Sequence, residues 1–188
     1  MGEALPTAKD HTQSFMRFLT IDEARARCGE MVRFDARGRP LAPHREPLYA
    51  RAPFPGVVAL TDFCRGLERA LQPREACLLW VTDWGIWSAD NLHLYYHLRQ
   101  SYGEHRLLDE APAHLFLDYE AADLVSFLQV GILCGWDMHL LPFGGYARAF
   151  VSHDEFVEFA ADESNPDLVH DWAAHLGGAE VHATTGST

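Results

Sequence analysis

Apolar and polar positions alternate along this chain in two rhythms, one of helical and one of strand period, and the changes of rhythm mark the elements. Thr20 and Glu23 have the spacing of a capping box, so a helix is expected from Ile21 to near Gly29. Residues 31–34 and 40–43 flank Asp35-Ala36-Arg37-Gly38 and read as a hairpin. Residues 46–52 read as a strand ended by Pro53 and Pro55. The next stretch has two readings. Either 57–60 is a strand followed by a helix capped by Thr61, or one helix runs from Gly56 to Leu71 with Leu60, Phe63, Leu67 and Ala70 at helical spacing. Residues 77–84 are continuously apolar over a strand's length, as in a strand covered on both faces.

A helix is expected over 88–102 and a short strand over 113–117. Asp118 is placed to cap the helix that follows, whose narrow polar stripe of Glu120, Asp123, Ser126 and Gln129 implies near-complete burial, with Gly135 at its end. Residues 137–142 and 146–151 flank Phe143-Gly144-Gly145 as a second hairpin. Ser152 and Glu155 repeat the capping-box spacing and predict a helix to about Ala161, and 167–176 predict a last helix. The fold class that follows is α/β, with α+β as the alternative: a mixed β-sheet covered by helices. One domain is expected over 14–176, with flexible ends at 1–13 and 177–188.

Composition narrows the functional classes. With 48% apolar and 12% aromatic residues the chain can bury a core. The longest nearly apolar run, 124–141, is broken by Ser126, Gln129, Asp137 and His139, whereas a membrane-spanning helix needs about 20 predominantly apolar residues. Cys28, Cys64, Cys77 and Cys134 form no CxxC pair, and the first ten residues lack a secretory apolar stretch, so four buried, reduced thiols and a cytoplasmic location are expected. A bacterial source is an expectation from the overall character of the sequence alone. Charge is split along the chain. Residues 1–100 carry 13 basic and 12 acidic residues, whereas 101–188 carry two and 15, so the whole excess of 12 negative charges lies in the second half. Such a field repels phosphate backbones and disfavours nucleic acid as a partner.

Four groups of residues are candidates for chemistry. His93 and His97 share a helix face with Asp90 when residues are stepped by about 100°. Histidines four apart can chelate zinc if a third ligand joins them, although Leu94 stands where a metalloprotease has its base. A solvated helix face explains the pair more simply. Asp83, Trp84 and Trp87 follow the buried strand and can wall a small-ligand pocket, or merely cap the core. His139 with Asp137, or His153 with a nearby carboxylate, can form an acid/base pair, although a hairpin with one wet face and a charged first helical turn account for the same residues. Finally, Asp154, Glu155, Glu158, Asp162 and Glu163 begin an acidic run free of Lys and Arg through residue 171. There is no GxGxxG, P-loop or GxSxG.

The reading favoured by these patterns is a non-catalytic binding or regulatory protein whose acidic surface meets a basic protein partner, as immunity proteins meet toxin enzymes. The alternatives are a small metal-dependent hydrolase using His93 and His97, and a small-ligand sensor at Asp83, Trp84 and Trp87. No cofactor is required by the first reading, and no oligomeric state follows from it.

Overall fold

The computed structural model describes residues 16–41, 48–51, 56–71, 73, 75–84, 92–145, 147–161 and 181–183. Among the described residues eight strands form one sheet: β1 (Arg17–Leu19), β2 (Leu48–Arg51), β3 (Ala76–Asp83), β4 (Ala113–Leu117), β5 (Asp137–Phe143), β6 (Ala147–Val151), β7 (Phe156–Ala161) and β8 (Val181–Ala183). Their order is β1-β4-β3-β5-β6-β7-β2-β8, and every neighbouring pair is antiparallel. Among the described residues four α-helices accompany it: α1 (Ile21–Cys28), α2 (Val57–Leu71), α3 (Leu92–Ser101) and α4 (Ala121–Leu133). The fold class is α/β, as expected, with helices packed against the sheet; the sheet, expected to be mixed, is antiparallel at every pairing among the described residues.

β3 lies between β4 and β5, which explains its unbroken apolar sequence. Cys77, Leu79 and Val81 join the larger core with Phe63 and Leu67 of α2, Tyr95 of α3 and Phe127 and Leu128 of α4. Ala76, Leu78 and Trp80 turn to the other face, where Ala24 and Cys28 of α1 and Val32 meet them. Alternation sends successive side chains to opposite faces, and here both faces are dry. All four cysteines are free and buried, and burial pushes the thiols of Cys28, Cys64 and Cys77 up to about 11, 12 and 12.

Local chemistry fixes several boundaries. The capping box of α1 forms: Oγ1 of Thr20 accepts the Glu23 amide at 3.3 Å, and Oε2 of Glu23 accepts the Thr20 amide at 2.8 Å. Of the two readings for 56–71, the single helix is the one adopted. Among the described residues 31–41 there is one bridge, Phe34 to Pro40, closed by Asp35, which accepts the amides of Arg37 and Arg39. A short 3-10 turn over Asp118–Glu120 precedes α4, and Glu120 takes the Leu117 amide at 2.8 Å. Gly135, at φ 64°, lets the chain turn from α4 into β5.

Three further expectations are corrected. Residues 156–161 are strand β7, not a helix opened by Ser152 and Glu155. Instead residues 152–155 are the β6–β7 hairpin loop: the Ser152 amide donates to the Phe156 carbonyl, the Glu155 amide to the Ser152 carbonyl, and Oγ of Ser152 accepts the Asp154 amide at 3.2 Å. Glu155 sits at φ 65°, which a helical third position excludes. The β5 face carrying His139 is not wet. His139 is buried opposite Trp80 and stacks near Phe150 at 4.8 Å. Leu94, which steps of about 100° per residue put on the side of the helix away from His93 and His97 and so toward the core, is exposed, while Tyr95 and Arg99 are buried. The expected helix over 167–176 and both flexible ends lie outside the described residues, apart from Val181–Ala183, which form β8.

Candidate functional site at one end of the sheet

The antiparallel order brings the end of β3, the start of β5 and the β6–β7 loop to one edge of the molecule. At this edge the β3–β5 register slips. Val81 pairs with Met138, but Asp83 pairs with Asp137, so Thr82 is an extra residue on β3. Such a bulge re-aims the side chains around it. Oγ1 of Thr82 donates to the Asp137 carbonyl at 3.3 Å and closes the irregularity. Two aspartates thus stand opposite each other as the last pair of this ladder among the described residues.

The β6–β7 loop docks onto Asp137 through His153. Oδ1 of Asp137 accepts both the backbone amide of His153 and its Nδ1, each at 2.8 Å. Nε2 of His153 is 3.5 Å from Oδ1 of Asp154. The hydrogen bond with Asp137 holds the His153 pKa above its ordinary 6.5, outweighing slight burial, and the charges of Asp137, Asp154 and Asp83 add to the effect. The site therefore consists of one partly exposed imidazole and three carboxylates drawn from β3, β5 and the loop. Half-buried Trp84 follows Asp83 and packs on the larger core. Chemically, Asp137 orients the ring with one nitrogen and leaves Nε2 near solvent, which suits either cation-side recognition or proton transfer.

The candidates named from sequence are placed unevenly. Asp83, Trp84 and Asp154 come together here. Glu155 is exposed on the same loop, and Glu158 lies on β7 opposite Phe150 and Tyr49. Asp154, Glu155 and Glu158 therefore do not line one helix face. Trp87, Asp90, Asp162 and Glu163 lie outside the described residues. His93 and His97 are exposed on α3. Among the described residues no group of three or more His, Cys, Asp or Glu is arranged to hold a metal ion. Also among them, no helix is long and apolar enough to cross a membrane.

The sequence offered His139 with Asp137, or His153 with a nearby carboxylate; the structure instead joins His153 to Asp137. What concealed it was the Ser152–Glu155 spacing, which explained the same residues as a helix start. The signal that favoured it was an aspartate opening a strand, where a core-facing residue is usual.

No family model matches the chain, and no curated protein or solved structure gives a significant match. The functional reading rests on the site itself.

Proposed function

We propose that the protein is a non-catalytic binding protein that receives a cationic group of a basic protein partner at the Asp83–Asp137–Asp154 edge. One observation carries this reading: carboxylates from three separate segments converge on a single partly exposed histidine, and the charges acting on that ring are all negative. The excess of acidic over basic residues after position 100 supports it from the sequence side. Opposite charge steers encounter and fixes register more than it adds raw affinity. Binding should accordingly weaken as salt rises.

The test is the affinity of the full chain for an oligo-arginine peptide, read by tryptophan fluorescence at low and physiological salt. Asp83 and Asp154 are exposed, so Asp83→Asn/Asp154→Asn should leave the fold intact. Each exposed ion pair is worth about 0.2–1 kcal/mol, so the double variant should bind about two- to thirtyfold more weakly. Unchanged, salt-independent affinity would reject the proposal.

The 2.8 Å His153–Asp137 contact favours a second reading, in which His153 is a general acid/base at the same edge. His153→Gln separates the two. Recognition by the carboxylates survives that change, whereas proton transfer does not.

A further inference from the structure

Helices α2 and α4 both pack into the larger core, and a cleft of about 340 Å³ lies between them. Proteins hold small molecules in spaces of about 300–1,000 Å³. α2 presents Thr61, Arg65 and Glu68 to the cleft, at the spacing that sets residues one above another on a single helix face. α4 presents Ala122, Val125, Ser126 and Gln129 at the same kind of spacing. None of these residues belongs to the Asp83–Asp137–Asp154 edge.

The protein does not use up the polar groups of this cleft. Nε2 of Gln129 donates to Oγ1 of Thr61 at 2.6 Å and ties the two helices together. Oγ of Ser126 turns back to its own helix and donates to the Ala122 carbonyl at 2.9 Å. Among the described residues, Oε1 of Gln129 has no hydrogen-bond partner, and neither the Arg65 guanidinium nor the Glu68 carboxylate makes a hydrogen bond or an ion pair. The charge of Arg69 acts on Glu68, but Nε of Arg69 donates to the Arg65 carbonyl at 3.1 Å. Burial outweighs that charge and holds the Glu68 carboxyl above its ordinary 4.5. Arginine before glutamate is the less favourable order for a pair within a helix, which leaves both groups to an outside partner. A cation and an anion one helical turn apart thus border a cleft with an apolar wall of buried Val125 and of Ala122.

We infer that this cleft binds a free α-amino acid with an apolar side chain, its carboxylate against Arg65, its ammonium against Glu68 and its side chain on Val125 and Ala122. Each charge of such a ligand meets its opposite through charge-assisted hydrogen bonds. A simple carboxylic acid leaves Glu68 unmatched beside a second negative charge, and a simple amine does the equivalent to Arg65. Oε1 of Gln129 offers the ammonium a further acceptor. A single carboxylate beside an arginine is a poor cage for a metal ion.

The experiment is thermal unfolding of the full chain at fixed pH and ionic strength, titrated with leucine, valine, methionine and phenylalanine. A ligand that binds only the folded state raises Tm along a saturable curve. At least one of the four should do so, and calorimetry then gives its affinity. Analogues of that amino acid lacking the ammonium or the carboxylate should give no saturable rise. Arg65 is exposed and Glu68 half-buried, so Arg65→Gln and Glu68→Gln should both fold. Each should weaken the affinity roughly two- to fivefold. Ser126→Phe, at an exposed position, fills the cleft without removing a charge and should abolish the response. No saturable rise with any of the four amino acids, an equal response to either analogue, or wild-type affinity in any of the three variants overturns the inference. Should Ser126→Phe not fold, the two charge variants decide. Asp83→Asn/Asp154→Asn should respond to the amino acid as the wild type does, so the acidic edge and this cleft fail or stand separately.

Discussion

Acid is the perturbation to which this fold should respond most sharply, because two histidines are buried without charge. Burial pushes His139 from the ordinary 6.5 down to about 3, with the nearby Arg148 adding to the shift, and it pushes His114 well below 6.5. In the unfolded chain both rings regain ordinary values. Below about pH 6.5 the unfolded state therefore binds two protons that the folded state refuses. Stability then falls with falling pH by about 1.4 kcal/mol per pH unit for each ring once the unfolded rings are fully protonated. The sum approaches about 3 kcal/mol per unit near pH 5, large against a typical total of about 5–15 kcal/mol. His153 has the opposite sign. Its folded pKa is raised, so its contribution is complete below 6.5 and fades as pH rises through the folded value, and it cannot offset the loss in acid. The lowered carboxylates Asp35 and Glu104 act only further down, below their ordinary values near 4. Urea unfolding followed by circular dichroism across pH 7.5 to 5 measures the slope. The variant His139→Gln should remove about one proton's worth of it. A flat profile between pH 7 and 5, or a slope unaffected by that variant, would refute the claim that these rings are held neutral by burial.

Three further outcomes are expected. Gly131 of α4 faces buried Met138 of β5, and a Cβ there would lie 2.7 Å from its Cε. Gly131→Ala gains about 1 kcal/mol of helix propensity but overpacks by about 1–3 kcal/mol, so Tm should fall, and Met138→Ala should convert the change into a gain; additive effects in the double-mutant cycle would contradict this. Thr20→Ala should cost about 1 kcal/mol, or about 2–4 °C in Tm, by removing the α1 cap, and no loss in a melting curve would show the box to be idle. Asp137→Asn should lower the His153 pKa toward its ordinary value, as read from proton NMR titration, because the hydrogen bond that raises it loses its charge. An unmoved titration would mean that Asp154 and Asp83 dominate instead.

Where structure follows from neighbours a few residues away, the sequence was sufficient. The α1 capping box, the helix through Gly56–Leu71 as one of two readings, and the 113–117 strand are local or strongly periodic features. The unbroken run from Cys77 already required a strand buried on both faces. Burial of the four thiols, expected from the lack of a CxxC pair and of a secretory stretch, is found at all four. Tertiary structure decided what local patterns left degenerate. Ser152–Glu155 satisfies the chemistry of a helix start and of a hairpin loop equally well, and an isolated helix of so few residues is marginal. Pairing of 156–161 with both β6 and β2 supplied hydrogen bonds that no local signal announces. The same strand order set Asp83 against Asp137 and laid His153 upon them. It also carried Arg99, four residues after Tyr95 on the packed face of α3, into an interior that charge alone would have forbidden. Helix period specifies which residues share a face, but only packing specifies what that face meets.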